Sequence, residues 1–352
     1  MVKFPVDIIG VMSGTSLDGV DLALVRFQDD SYNFELVKTT TVTFPNDLLM
    51  LLSNCRILSN NMLIELHHEW SKFVGDEIKK NFISKGLNPD YIASHGHTVF
   101  HEPKKGFTLQ IGSISVLSKI TNCNVIGDFR SLDVSKGGEG APLVPIGDLL
   151  LFTDHNICLN LGGIANISVK TASGISAYDV CPCNLILNYL AQKKGLVYDK
   201  GGMFASKGAF NKELFEELNT IEYYSLSSNP SLGIEVIEEQ FFPVIDKYDI
   251  SIEDKLQTYC KHIAFQIEQI TPGKQTVLVS GGGAYNDFLI ACFKEAGLAI
   301  EIPSNSIIEF KEALIFAFLG LRKIEGKVNV LKEVTGAASD SIAGHLFLKE
   351  SI

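Results

Sequence analysis

Residues 7–27, DIIGVMSGTSLDGVDLALVRF, read as a strand, a tight loop and a returning strand. Residues 8–12 are nearly continuous in apolar character, as in a strand buried on both faces. Val20, Leu22 and Leu24 then alternate with Asp21, Ala23 and Val25 ahead of Arg26 and Phe27. Between them stands Ser13-Gly14-Thr15-Ser16-Leu17-Asp18-Gly19. Two glycines allow a sharp turn and close approach of a ligand, while Ser13, Thr15 and Ser16 add hydroxyl donors to the exposed amides, a combination that suits phosphate oxygens. Asp18 beside an anion makes sense as the holder of a hydrated Mg²⁺, which takes carboxylate, water and phosphate oxygens together. A plain glycine-rich hairpin fits these residues equally well, so the rest of the chain has to decide.

At 352 residues the chain exceeds the size at which a single core usually stops growing, which predicts two domains. Hydrophobic residues make up 46% and charged residues 20%, the balance of a folded chain rather than a disordered one. A formal net charge of -11 argues against nucleic acid as the main partner, since that binding sets Lys and Arg against phosphates. Seven scattered cysteines, mostly in apolar segments, suit reduced core thiols. The start, MVKFPVDIIG, runs straight into a strand without a secretory leader, and no run reaches the roughly 18 apolar residues that span a bilayer. The expectation is a cytoplasmic protein with neither nucleic acid nor membrane as partner.

A third strand is predicted over 34–43 and an amphipathic helix over 61–84, with Leu63, Leu66, Trp70, Phe73, Ile78 and Phe82 on one stripe. A short strand over 91–94, a helix over 113–121 and a strand over 125–129 follow. The second half repeats this grammar. A strand over 156–161 turns at Gly162-Gly163 and returns over 165–170, so residues 160–166, NLGGIAN, answer the first loop. Helices are predicted over 185–194, 209–219, 252–270 and 287–296, and a strand over 276–280 runs into Gly281-Gly282-Gly283. Residues 309–325 are apolar nearly all round through 314–319, the mark of a buried helix. Two α/β halves, each opened by a strand, glycine turn and strand, predict a cleft with glycine loops facing each other.

The loops fit neither common nucleotide fingerprint, because Val20 stands where a P-loop needs lysine and residues 281–286, GGGAYN, are not G-x-G-x-x-G. The duplicated layout resembles instead the actin, hexokinase and heat-shock ATPase group. A collinear set of longer motifs narrows this: MSGTSLDGVDL (12–22), SHGHTVFHEP (94–103), GDFRSLDVSKGGEGAPLVP (127–145), LNLGGIANIS (159–168), YDVCPCN (178–184), YDKGG (198–202), SGGGAYN (280–286), KEALIFAF (311–318) and VTGA (334–337). The chain resembles the anhydro-N-acetylmuramic acid kinase family along almost its whole length.

That resemblance implies an α/β fold of two ribonuclease-H-like (actin/hexokinase-type) domains around a central ATP/sugar cleft, the first spanning 1–132 plus a returning 335–352, the second 133–334. It implies a kinase that phosphorylates 1,6-anhydro-N-acetylmuramic acid with ATP while water opens the anhydro bridge, giving the 6-phosphate sugar for cell-wall recycling. It implies ATP contacts from Gly14, Thr15, Ser16, Leu17, Asp18, Gly19, Val20, Asp21, Gly162, Gly163, Asn166, Gly281, Gly282 and Gly283, with Mg²⁺ at Asp18. Sugar contacts are implied from His95, His97, Asp128, Arg130 and Glu312, and a homodimer as the assembly. Asp179 becomes the catalytic base, where residue reading alone makes it a helix cap. The planar fork of Arg130 suits a lactyl carboxylate, with an ion pair to Asp133 as the structural rival. The family more often has glutamine at His97, glycines at Cys181 and Cys183, and P-P-K-S-T-G at residues 229–233. Two other classes stay open on residues alone. His95, His97 and His101 could ligate the metal of a hydrolase, and the loops could serve a non-catalytic sugar- or nucleotide-binding protein.

Overall fold

The alternation of the opening stretch becomes an antiparallel hairpin of β1 (Val6–Ser13) and β2 (Val20–Phe27), with Ile9 opposite Leu24 and Met12 opposite Asp21. The computed structural model describes residues 2–14, 17–172, 174–226, 231–271 and 275–350, so Thr15 and Ser16 of the intervening loop lie outside the described residues. β3 (Phe34–Val42) adds antiparallel to β2. After α1 (Asn46–Ser53) comes α2 (Asn60–Asn81), which starts where the Ser59 hydroxyl accepts the Met62 N–H. β4 (Tyr91–Glu102) lies parallel to β1, β5 (Phe107–Ile111) folds back on it, and β6 (Asn124–Gly127) lies parallel to β4 after α3 (Ile114–Thr121). α4 (Ser131–Ser135) and α5 (Pro145–Leu151) follow.

The second sheet begins with the meander β7 (Ile157–Leu161), β8 (Ile164–Thr171) and β9 (Gly174–Pro182). Helices α6 (Asn184–Gln192), α7 (Lys212–Leu218) and α8 (Ile252–Ile270) come next. β10 (Thr276–Ser280) then pairs parallel to β7, and β11 (Ala299–Glu301) parallel to β10 after α9 (Asp287–Glu295). The chain continues through α10 (Asn305–Ile324), broken at Phe310, and ends on β12 (His345–Phe347), antiparallel to β6.

The two sheets share a five-strand order, to which the first adds β12 and β5. One runs β12-β6-β4-β1-β2-β3, with β5 on β4, and the other β11-β10-β7-β8-β9. In each, the first strand carries an antiparallel pair on one side and parallel strands on the other, the ribonuclease-H-like arrangement expected above. Parallel pairing demands a helical crossover, and α2 and α8 supply it. Ile9, Leu22, Trp70, Ile78 and Val125 centre the core of the first unit, and Leu159, Leu161, Tyr259 and Phe293 that of the second. All seven cysteines are free and buried. No helix among the described residues is long and apolar enough to cross a membrane.

The compact units are Met1–Phe152 with Phe310–Ile352, and Thr153–Glu309. The boundaries expected at 132/133 and 334/335 are therefore displaced, because residues 133–152 and 310–334 are tied into the first unit by buried polar contacts. Asp133 accepts the Thr335 hydroxyl at 2.7 Å and the Gly140 N–H at 2.8 Å. Lys311 Nζ lies 2.7 Å from Asp148 Oδ1 with both side chains buried, and the Asn329 amide donates to the carbonyls of Leu319 and Ala343. Strand β4 is also far longer than the expected 91–94. Its second half mixes polar residues with Val99 and Phe100, and β5 supplies the partner that the apolar pattern did not announce.

Helix α10 lies directly on β1 and β4, since a Cβ on Gly10 would stand 1.8 Å from the Ala313 carbonyl oxygen and one on Gly320 2.6 Å from the Ala93 Cβ. Gly10→Ala should cost about 3 kcal/mol, the upper range for overpacking, because the obstacle is backbone rather than a movable side chain. A urea midpoint unchanged from the parent protein would show that the helix can move away.

Candidate active site

In the first unit, after β1, the Leu17 N–H donates to the Gly14 carbonyl at 3.5 Å and Leu17 lies in the left-handed region at φ 62°. Gly19, at φ 151°, brings the chain so close to β3 that a Cβ would meet the Val42 carbonyl oxygen at 2.5 Å. Asp18 is exposed and accepts no hydrogen bond among the described residues. A single free carboxylate fits a metal that keeps most of its waters, as Mg²⁺ does. Asp21 accepts the Thr41 hydroxyl at 2.6 Å. Two expected ligand groups are otherwise engaged. The Val20 side chain is buried in the core, and the Ser13 hydroxyl is buried in a 3.0 Å hydrogen bond with His97 Nδ1.

The middle of β4 and the segment after β6 assemble the next group. His95 and His97 are both buried, and His95 has both ring nitrogens committed, so it has none to share with His97 on a metal. His95 Nδ1 bonds the Gly96 carbonyl at 3.0 Å, and its Nε2 accepts from Arg130 Nε at 2.9 Å. Burial first, then the Arg130 charge, holds the His95 imidazole well below its ordinary pKa. Burial alone brings His97 to about 4. Among the described residues no group of three His, Cys, Asp or Glu side chains is placed to hold a metal. Arg130 also donates from Nη1 to the Gly140 carbonyl at 2.9 Å and makes no pair with Asp133. Its pKa is pushed down to about 10 by burial, against the pull of Glu312, so it stays charged at neutral pH.

Asp128 sits at φ 58°, a conformation rare outside glycine, and its Oδ1 accepts the Ser131 N–H at the start of α4. With Ser94, His95, Gly96, Gln110 and Ser131 it lines a cavity of about 320 Å³, at the small end of ligand pockets. Glu312 follows the buried Lys311 on α10 and is open to solvent, although protein packs densely around it. That burial, then Asp21, raises its carboxyl pKa, while Arg130 and Lys311 oppose the shift.

In the second unit, β7 and β10 run parallel with Ser280 opposite Asn160, which brings the two expected glycine loops together. A Cβ on Gly281 would meet Asn160 Oδ1 at 2.5 Å, and one on Gly283 the Leu161 Cβ at 2.6 Å, whereas one on Gly282 would come no nearer than 4.0 Å, to Asn184 Nδ2. The carbonyls of Gly163 and Gly162 accept the N–H groups of Cys183 and Asn184 at 2.8 and 3.2 Å. The first amides of α6 are thereby consumed. Those of Gly162 and Gly163 donate to no protein group among the described residues. Asn166 is exposed on β8, directly across from Asp179 on β9.

Asp179 is not a helix cap, because β9 runs on to Pro182 and Cys183 takes the cap position. Its Oδ2 accepts the Leu232 N–H at 2.9 Å and the Ser231 hydroxyl at 3.4 Å, and its backbone carbonyl accepts the Tyr223 hydroxyl. Oδ1 accepts nothing among the described residues. Burial raises its carboxyl above the usual aspartate value, and the Leu232 and Ser231 bonds only partly offset that. The partners Gly140, Leu232 and Tyr223 went unnoticed in the sequence, since backbone groups and a core tyrosine carry no motif. The one available signal was the unusual run at 229–233, of which 229 and 230 lie outside the described residues.

Residues 6–349 match the family model described as anhydro-N-acetylmuramic acid kinase. The chain is 35% identical over 362 residues to the anhydro-N-acetylmuramic acid kinase of Vibrio cholerae, spanning 96% of this chain and 97% of that protein. It is 34% identical over 375 residues to that of Clostridioides difficile (96% and 97%), and 31% identical over 365 residues to that of Pseudomonas putida (96% and 98%). With a family match over nearly its whole length and relatives above 30% identity, this chain belongs to the anhydro-N-acetylmuramic acid kinase family.

Proposed function

We propose that the protein uses ATP to phosphorylate 1,6-anhydro-N-acetylmuramic acid and opens the anhydro bridge with water in the same event, giving N-acetylmuramic acid 6-phosphate during cell-wall recycling. Water attacks the anomeric carbon, and the bond from that carbon to the bridging oxygen breaks. The released oxygen takes the γ-phosphoryl group of ATP, and ADP leaves. A carboxylate must accept the proton of the attacking water, while the phosphoryl group does the work of the acid that an inverting glycosidase needs. The observation that carries this reading is the state of Asp179: one oxygen is anchored by Leu232 and Ser231, and the other accepts nothing among the described residues and so can take a proton.

Arg130 binds the lactyl carboxylate, Asp128 and Glu312 orient sugar hydroxyls, the loop at 14–19 of the first unit offers contacts to phosphate oxygens, and in the second unit the amides of Gly162 and Gly163 do the same. Gly281, Gly282 and Gly283 form the bed for the adenosine. Asp18 would hold Mg²⁺ through water, and that ion would supply positive charge for the phosphates. Family resemblance also supports a homodimer acting in the cytoplasm.

Incubating the protein with ATP, Mg²⁺ and anhydro-N-acetylmuramic acid should yield the phosphorylated, ring-opened sugar, and its absence would sink the proposal. Asp179→Asn should keep both ligands bound while kcat falls roughly 10²-fold or more, the contribution expected of a general base. Near-normal turnover in that variant, with Glu312→Gln inactive, would exchange the two roles.

The same carboxylate sets the pH profile. A base works when ionised, and a raised pKa keeps it protonated to higher pH than an ordinary aspartate. The acid limb of kcat/KM should therefore lie above the normal aspartate value. A limb at or below that value would contradict the assignment.

A further inference from the structure

We infer that His95 is a positioning residue that aims Arg130 at the sugar carboxylate and touches no substrate atom itself; this rests on the reading of Arg130 given above. A guanidinium carries one proton on Nε and two on each Nη. His95 Nε2 takes the Nε proton at 2.9 Å, and the Gly140 carbonyl takes one from Nη1 at 2.9 Å. The side-on fork made by Nε and Nη2 is thereby closed to a ligand. Both Nη2 protons and one Nη1 proton remain, so the far end of the guanidinium is what a carboxylate can meet with two bonds.

His95 has nothing left to give the sugar. Because the Gly96 carbonyl can only accept, Nδ1 carries the ring proton, which leaves Nε2 as a bare acceptor for Arg130. The ring is 3% exposed and packs on Phe316 of α10 with centroids 4.8 Å apart. Gly96 stands at φ 75°, with a hypothetical Cβ 2.4 Å from the Ile111 carbonyl oxygen, so the backbone that orients the ring is itself confined. A protonated ring would lose its lone pair and repel Arg130. Its depressed pKa keeps it in the useful form.

The test compares three variants of the full-length protein by calorimetry with anhydro-N-acetylmuramic acid and with a non-hydrolysable ATP analogue, alongside KM for sugar and for ATP. His95→Phe keeps the ring and removes the acceptor, His95→Asn keeps a bond to Gly96 but falls short of Arg130, and His95→Gln returns an acceptor near the Nε2 position. Phe and Asn should each weaken sugar binding tenfold or more with ATP affinity within twofold, and Gln should recover most of the loss. In an Arg130→Lys background, His95→Asn should add less than twofold, since both act through one contact. Unchanged sugar affinity in folded His95→Asn or His95→Phe, or equal losses for sugar and ATP, would overturn the inference. A parent protein that binds ATP but not the sugar would instead overturn the reading of Arg130, and this inference with it.

Discussion

The first unit depends on one close approach, the backbone of α10 laid on β1 where Gly10 has no side chain. Helices normally stand off a sheet by the thickness of their side chains. Here Ala313 nearly touches the strand, and Gly320 repeats the arrangement about two helical turns later against Ala93. The height of the helix over the sheet is thus set by backbone, which side-chain rotation cannot relax. Glu312 immediately precedes the contact and inherits its position, with Asp21 and Arg130 as its charged neighbours. Lys311, the residue before, is drawn inward to Asp148. A buried ion pair is weak evidence for stability, since desolvation offsets much of its attraction, but breaking one strands a charge and so resists local rearrangement.

A second theme is the use of neutral histidine as a fixed acceptor or donor. In water His95 and His97 would titrate near pH 6.5. Buried, both stay uncharged, His95 between the Gly96 carbonyl and Arg130 and His97 against Ser13. His262 of the second unit shows the same physics without a site. It is buried between the Tyr224 hydroxyl and Asn219, and its pKa falls to about 3. Burial and a depressed pKa therefore do not mark function by themselves. The charged partner is what distinguishes His95.

In the second unit the glycine turn has two jobs. Its carbonyls satisfy the first amides of α6, which would otherwise be orphaned at a helix start. Its own amides donate to no protein group among the described residues, so the unpaired donors belong to the turn rather than to the helix end. Asp179 lies one strand away, across from Asn166, and the segment around Leu232 fixes one of its oxygens.

Much of the architecture is legible in local pattern. Apolar runs interrupted by glycine turns identified the two opening hairpins, helical periodicity identified α2, and the all-round apolar run at 314–319 identified a helix buried on every side, because burial imposes those patterns on the residues directly. The glycine loops, Asp179 and Arg130 were likewise visible as motifs. Side-chain partners were not, since the same His-x-His spacing serves a metal pair or two unrelated hydrogen bonds, and only the strand register and the twist at Gly96 choose between them. Strand β5 and the inclusion of residues 133–152 and 310–334 in the first unit also escaped notice. They depend on contacts such as Asp133 with Thr335, 202 residues apart in the chain, and no local pattern encodes a partner at that distance. The sequence by itself determined the repeated fold and the residue types of the site; tertiary structure decided which atoms of those residues remain free to act, because that depends on which protein groups have already claimed the others.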